Sequence, residues 1–551
     1  MIRRELAADL LDALFTASPI SASLLGLPGY DDRLGDLDAE ADARAAERFD
    51  AIARRAEAVP VDELDETDRQ TVEFVRHVAA TERDVVRLGA VEWTVTDLWV
   101  APASSLLEFL PRTPIDSPAR QAGYLARLGQ VAAHLEAAAA RHRDGAATGR
   151  TPVARLVQAA IEHLDRVLEG DLEGLRVTPG GDDTGFVAER DRLLVGVVRP
   201  ALETYRDALV AEVLPVGRGD DEVGLAHLPG GDAIYTTLAR QHTSTHRTAD
   251  DLHDTGLGLI ADLALEYAEV GERVFGTSDV AEVFAHLRDD DALAYRSADD
   301  MLDAARVAIE RAEAVAPQWF GTVPSQRCRV EPVPAAAAPG APPAYYLPPA
   351  VDGSRQGTYF LNTHEPTQRR RHLAEAVAFH EAVPGHHFQL TVAQERTDLP
   401  VVRRVMIDTA FAEGWGLYCE RLADEMGLYS DDVARLGMLA ADSWRSARLV
   451  VDTGIHARGW SRQRAIDWMA ANTPLSLLEV TTEVDRYIAY PGQALSYMVG
   501  RHELQALRAR TAERLGNAFD LKAFHDLLLS TGGLPLAVLG DAVDRWNPST
   551  G

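Results

Sequence analysis

The stretch His380-Glu381-Ala382-Val383-Pro384-Gly385-His386-His387 decides how this chain is read. It packs three imidazoles and a carboxylate into eight residues, directly after the helical run Arg371-His372-Leu373-Ala374-Glu375-Ala376-Val377-Ala378-Phe379. The common zinc pattern sets two His at i and i+4 of one helix, with Glu at i+1 as general base. Here position i+4 is Pro384, and the next imidazoles stand at i+6 and i+7. On a straight helix, at about 100° per residue, i+6 lies about 120° off the His380 face and i+7 about 10.5 Å along the axis. Zn–N bonds are only about 2.0–2.1 Å long, so neither pair can share an ion in a regular helix.

Pro384 alters that geometry. It has no N–H for the His380 carbonyl and its ring clashes there, so the helix must bulge or break. Gly385 admits backbone angles that other residues resist. A two-residue bulge would carry His386 to where an i+4 ligand normally sits, and π-bulges recur at functional sites. The plain alternative is a Pro-Gly turn between two helices, with histidines on the surface.

A carboxylate further along favours the metal reading. Glu413 stands in Thr409-Ala410-Phe411-Ala412-Glu413-Gly414-Trp415-Gly416-Leu417-Tyr418, in the middle of an apolar helical run. Buried acids are normally paired or bound to metal. A salt bridge to an arginine is the ordinary explanation for one such Glu. Beside the first stretch, ligation explains it better. His380, His386 and Glu413 would give one Zn2+ three protein ligands and leave a place for water, the open form of a catalytic site. Gly414 and Gly416 are poor helix formers, and close approach of two helices would account for them. Glu381, adjacent to a ligand but out of phase to bind the ion, is the candidate general base.

An oxyanion partner is also required. Tyr497, Tyr490 and His456 are the candidates, each of which could equally be a hydrogen-bonded core residue. Arg448, Arg486 and Arg501 could grip a substrate carboxylate, or pair with the many acids of this chain. The run Gly357-Thr358-Tyr359-Phe360-Leu361-Asn362 reads as a strand with a free edge to which an extended peptide could add. Tyr359 and Asn362 on that strand, with Tyr490, Arg486 and Arg501, are the candidate substrate-binding residues.

Composition narrows the class. The chain has 551 residues and a formal charge of −30, with 85 acidic against 55 basic residues. Nucleic acid needs clustered Lys and Arg, so it is not an expected partner. Cys328 and Cys419 are too few for a disulfide framework. No run of about 18 apolar residues is present, and the first ten residues have acids and no apolar core. We expect a cytoplasmic protein without membrane contact.

Helical periodicity dominates. Helices are expected over 38–59, from Thr67 through Val86, and over 119–143, 152–168 and 187–213. Others follow near 250–275, with Thr248 and Asp251 as a capping box, and at 298–315. A loop covers Val177 to Asp183. The composition changes near 319: β-formers around 327–333, a Pro/Ala-rich stretch over 331–349, Tyr345-Tyr346-Leu347 and 357–362 predict a small antiparallel sheet just before the metal-binding helix. Helices return at 368–395, 403–426, 431–459, 461–470 and 496–515. The organisation expected is an N-terminal helical region, 1–227, and a catalytic region, 228–551, in one integrated unit.

At these residues the chain resembles the bacterial domain-of-unknown-function family eight-eight-five, of the zincin-like metallopeptidase superfamily. The family pattern HExxPGHxxQ is met by His380-Glu381-Ala382-Val383-Pro384-Gly385-His386-His387-Phe388-Gln389, and an EGW element followed by aromatic and acidic residues by Glu413-Gly414-Trp415 through Tyr418 and Glu420. Further matches are 357–362, Arg448 to His456, Tyr490 to Tyr497, and Thr248 to Gly256. The resemblance assigns the second imidazole to His386, since the place of His387 accepts other residues. It implies a mainly α, large helical zincin-like fold, and we expect its long helices to enclose a deep channel suited to small substrates.

The leading expectation is a zinc-dependent metallopeptidase-like hydrolase of amide bonds in short peptides. A hydrolase of lactams, cyclic peptides or other small amides is the second. A metal- or ligand-binding protein without turnover is the third, and the presence of Glu381 weighs against it.

Overall fold

The structure, a computed structural model, describes residues 2–180, 184–334, 338, 342–351, 353 and 355–547. Residues 181–183 of the expected loop, and 335–337 and 339–341 of the Pro/Ala-rich stretch, lie outside them. Helices carry nearly all of what is described. Asp38, Asp65, Ser117 and Thr248 each accept a backbone N–H one turn on, and so start the helices Ala39–Glu57, Glu66–Val86, Pro118–Ala147 and Ala249–Phe275. The Thr248 cap is reciprocal, with Asp251 returning the bond. The run expected over 187–213 is helical from Thr184 to Val213, widening to π turns at Leu194–Val198 and Leu209–Val213. Helices that escaped the sequence reading include Pro102–Phe109, Gly231–Thr243, Val280–Asp289, Leu477–Ala489, Leu521–Ser530 and Leu536–Arg545.

Three short strands precede the His-rich stretch: Arg329–Pro332 (β1), Ala344–Leu347 (β2) and Thr358–Leu361 (β3). Their order is β1-β3-β2, with β3 antiparallel to β2 but parallel to β1. The sheet is therefore mixed, which corrects the antiparallel expectation. Strand β2 folds back on β3, and the longer return from β1 brings β3 alongside it in the same direction. The expectation of a free β3 edge is corrected too. Strand β3 is central and paired on both sides, so no peptide can add to it.

One apolar core joins the two ends of the chain. Leu6, Leu10, Phe49 and Phe74 pack in the same cluster as Phe379, Trp415, Leu504, Leu528 and Leu539. A second cluster, around Tyr124, Leu128, Leu164 and Leu202, serves the N-terminal helices. The site helices thus stand on the largest apolar cluster rather than on loops.

A cavity of about 410 Å³ is lined by Tyr295, Arg371, His372, Glu375 and Ala434 among others. It lies at the start of the helix that carries His380. His380, His386 and Glu413 do not line it, so it is not the channel anticipated from the sequence. Among the described residues, no helix is long and apolar enough to cross a membrane.

Candidate metal centre

The His-rich stretch breaks rather than bulges. One helix, Ala374–Glu381, stops at Ala382, and a second, His386–Glu395, starts after Gly385. The Val383–Pro384 peptide is cis. The Pro384 carbonyl accepts from Trp415 Nε1 at 2.9 Å and from Cys419 Sγ at 3.3 Å, so the turn is fastened to the helix Thr409–Glu425. A Cβ on residue 385 would fall 1.9 Å from the His380 carbonyl oxygen, so only glycine fits there.

The break brings the two imidazoles together. The rings of His380 and His386 lie 4.6 Å apart between centroids, at 83° to each other. One oxygen of Glu413, Oε2, is 3.4 Å from His380 Nε2 and 3.4 Å from His386 Nε2. The three ligand atoms all lie within 4.8 Å of one another. Ligands about 2.0–2.1 Å from a tetrahedral zinc stand about 3.4 Å apart, which is the spacing seen from the carboxylate to each imidazole. Donor types and spacing therefore fit a divalent ion.

Two neighbouring features set His380. Its Nδ1–H donates to Glu420 Oε1 at 2.8 Å, which turns Nε2 toward Glu413. A Cβ on residue 416 would sit 2.5 Å from His380 Cε1, so the ring occupies the space that Gly416 leaves. Gly414 has a different task. Its added Cβ would meet Gly500 at 2.3 Å, marking where the helix Ser496–Leu515 crosses the Glu413 helix. Burial opposes charge on both partners, yet the contacts outweigh it. Glu413 and Glu420 push His380 up to about 9, and the two imidazoles hold the Glu413 carboxyl well below its ordinary value.

Glu381, the last residue of the first helix, is half-buried, and its charge reaches His380, Tyr359 and Cys328. Tyr497 is the sequence candidate that the structure brings to the centre. Its ring lies along His380 at 6.5 Å, with an interplanar angle of 21°. The Arg448 guanidinium covers Tyr497 at 4.3 Å. Burial first, then the Glu413 charge, holds the phenol above its ordinary value, so it remains a donor.

Other candidates are committed elsewhere. His456 is fully buried, with Nδ1 accepting from the Leu225 N–H at 3.2 Å and Nε2 donating to the Tyr487 carbonyl at 3.0 Å. Burial lowers it to about 3, so it stays neutral and joins backbone segments. Arg501 pairs with the fully buried Asp442, which Arg421 also engages. Arg486 is held by Glu483 at 2.9 Å and by Gln493 at 2.8 Å. Arg448 shares Glu483 at 3.0 Å. Asn362 is fully buried and donates to the Ala338 carbonyl at 2.8 Å, while Tyr359 is buried in the main core. Tyr490 is half-buried, in edge contact with His242 at 5.0 Å. His387 faces away: the Tyr346 hydroxyl donates to its Nδ1 at 2.9 Å, and its Nε2–H donates to the Gln326 carbonyl at 2.8 Å.

Glu420 lies in the stretch that matches the family element, but sequence reasoning assigned it no role at the centre. It is seven positions after Glu413, two turns along the same helix face, with Gly416 between them. Two acids and a glycine on one face of an apolar helix were a readable signal.

A family model described as "Bacterial protein of unknown function (DUF885)" matches residues 19–543. No curated protein matches the chain. Among solved structures, one described as "the putative lipoprotein from Colwellia psychrerythraea" is similar at 26% identity, with a TM-score of 0.91 over 99% of each chain. Another, described as a "putative lipoprotein of unknown function from Shewanella oneidensis", shares the fold at 18% identity, with a TM-score of 0.77 over 98% of this chain and 99% of that one. The family match spans nearly the whole sequence and includes every residue of the centre, so this chain belongs to the DUF885 family of bacterial proteins.

Proposed function

We propose that this chain is a zinc-dependent hydrolase of amide bonds, with short peptides as its substrate class. One observation carries the reading: two imidazole nitrogens and a carboxylate oxygen converge within 4.8 Å, with His380 oriented by a buried carboxylate behind it. A structural zinc site closes with four protein ligands, whereas this centre offers three. A divalent ion bound there supplies Lewis acidity and an activated water.

The chain's own residues supply the rest. Glu381 takes a proton from the attacking water and delivers it to the leaving amine. Tyr497, held protonated and stacked along His380, donates to the oxygen on which negative charge develops. Glu420 keeps His380 in one orientation and one tautomer.

The test is metal analysis of the purified protein together with a short-peptide screen of wild type and Glu381→Gln. Wild type should carry one zinc per chain and cleave peptides. The variant should keep the zinc and lose turnover by about 100-fold or more, the scale of a general base. Hydrolysis unaffected by Glu381→Gln would refute the assignment.

A further inference from the structure

An aromatic wall runs outward from the metal centre. Tyr497, in the first turn of the helix Ser496–Leu515, lies along His380, and Tyr490 stands on the other side of the short turn before that helix, where the helix Leu477–Ala489 ends. Trp99 meets Tyr490 edge-on at 5.4 Å and Phe109 at 6.0 Å. Residues from the N-terminal region and the turn before the helix Ser496–Leu515 therefore meet here.

Trp99 stands out in this set. It is 49% exposed, the one exposed aromatic ring among the described residues, while the others are buried or half-buried. Tyr490 and Phe109 are both half-buried, so each keeps a face open. The turn between Tyr490 and Tyr497 is fixed from behind. Asp452 accepts the Gly492 N–H at 3.1 Å and the Tyr235 hydroxyl at 2.6 Å. Binding sites for small molecules are lined by such rigid aromatic faces beside a few polar groups.

We propose that Trp99 and Tyr490 form a side-chain subsite that selects peptides with an aromatic or bulky apolar residue beside the bond cleaved. This rests on the hydrolase reading for its chemistry, but the binding it describes does not require turnover. The occupant is a substrate side chain because the turn that Asp452 fixes ties Tyr490 to Tyr497, and Tyr497 lies along His380.

The test uses two tripeptides that differ in one side chain, glycyl-phenylalanyl-glycine and glycyl-alanyl-glycine. Dissociation constants are measured on the zinc-loaded Glu381→Gln protein, and kcat/KM on the protein with Glu381 intact. Each is repeated with Trp99→Ala and Trp99→Phe, and with Tyr490→Leu as a second variant. The phenylalanyl peptide should be favoured about tenfold or more. That ratio should fall towards one in Trp99→Ala and Tyr490→Leu and persist in Trp99→Phe. Equal binding of the two peptides, or a preference unchanged by Trp99→Ala, overturns the subsite. A Trp99-dependent binding preference without hydrolysis would instead keep the subsite and remove the hydrolase reading. Hydrolysis without that preference would do the reverse.

Discussion

His380 spends both ring nitrogens, one on Glu420 and one toward Glu413, so it cannot rotate without losing a partner. Glu420→Gln keeps the shape but weakens the anchor, and should lower metal affinity about 10- to 100-fold in a chelator competition. Gly416→Ala acts more bluntly. Its methyl would press to 2.5 Å from the imidazole, so metal content should fall while the helices remain, as circular dichroism would show. A pH effect is expected at Glu82, whose carboxyl is raised from 4.5 to about 7 by burial alone. A raised acid is at ease when protonated and costs stability once ionised. Glu82→Gln should therefore match wild type near pH 4 and exceed it increasingly from about pH 5 to pH 8, by at most about 3 kcal/mol, in urea melts. The converging trio His380, His386 and Glu413 was legible because these residue types are rare in apolar helices. The quiet roles of His456, Arg501 and Asn362 were not, because Leu225, Asp442 and Ala338 lie 231, 59 and 24 positions away.

At the scale of elements, the centre depends on a break and a crossing. The proline and glycine were rightly read as interrupting the helix, but a bulge was the wrong form. The turn is captured by Trp415 and Cys419 from the next helix, and no local pattern announces that partnership. The crossing is tight: a Cβ on residue 500 would fall 1.8 Å from the Ala410 carbonyl oxygen. Gly500→Ala should destabilise the fold by about 1–3 kcal/mol, the usual cost of overpacking, read as a lower denaturation midpoint. Strands were found by composition, yet their pairing was misread. Direction is decided by which connection returns to which edge, and a four-residue strand does not encode that.

The whole molecule places its chemistry on its largest apolar cluster, which ties residues near position 6 to residues beyond 530. The mainly helical class followed from periodicity and composition. The Leu477–Ala489 helix was missed, although Ser476 and Glu479 form a capping box at its start. Its own Glu483 and Arg486, with Arg448, form a charge cluster behind Tyr497, so that helix supports the centre from one side while the Glu420 face supports it from another. Many of the chain's other acids pair with arginine at the surface, away from the centre.

The most direct measurement is the metal content of purified wild type, His386→Ala and Glu413→Ala after equilibration with a small excess of zinc and removal of the free ion. One zinc per chain in the wild type, lost in both variants while their circular dichroism stays helical, is the predicted result. A wild type that retains no zinc, or variants that retain as much as the wild type, would contradict the centre described here.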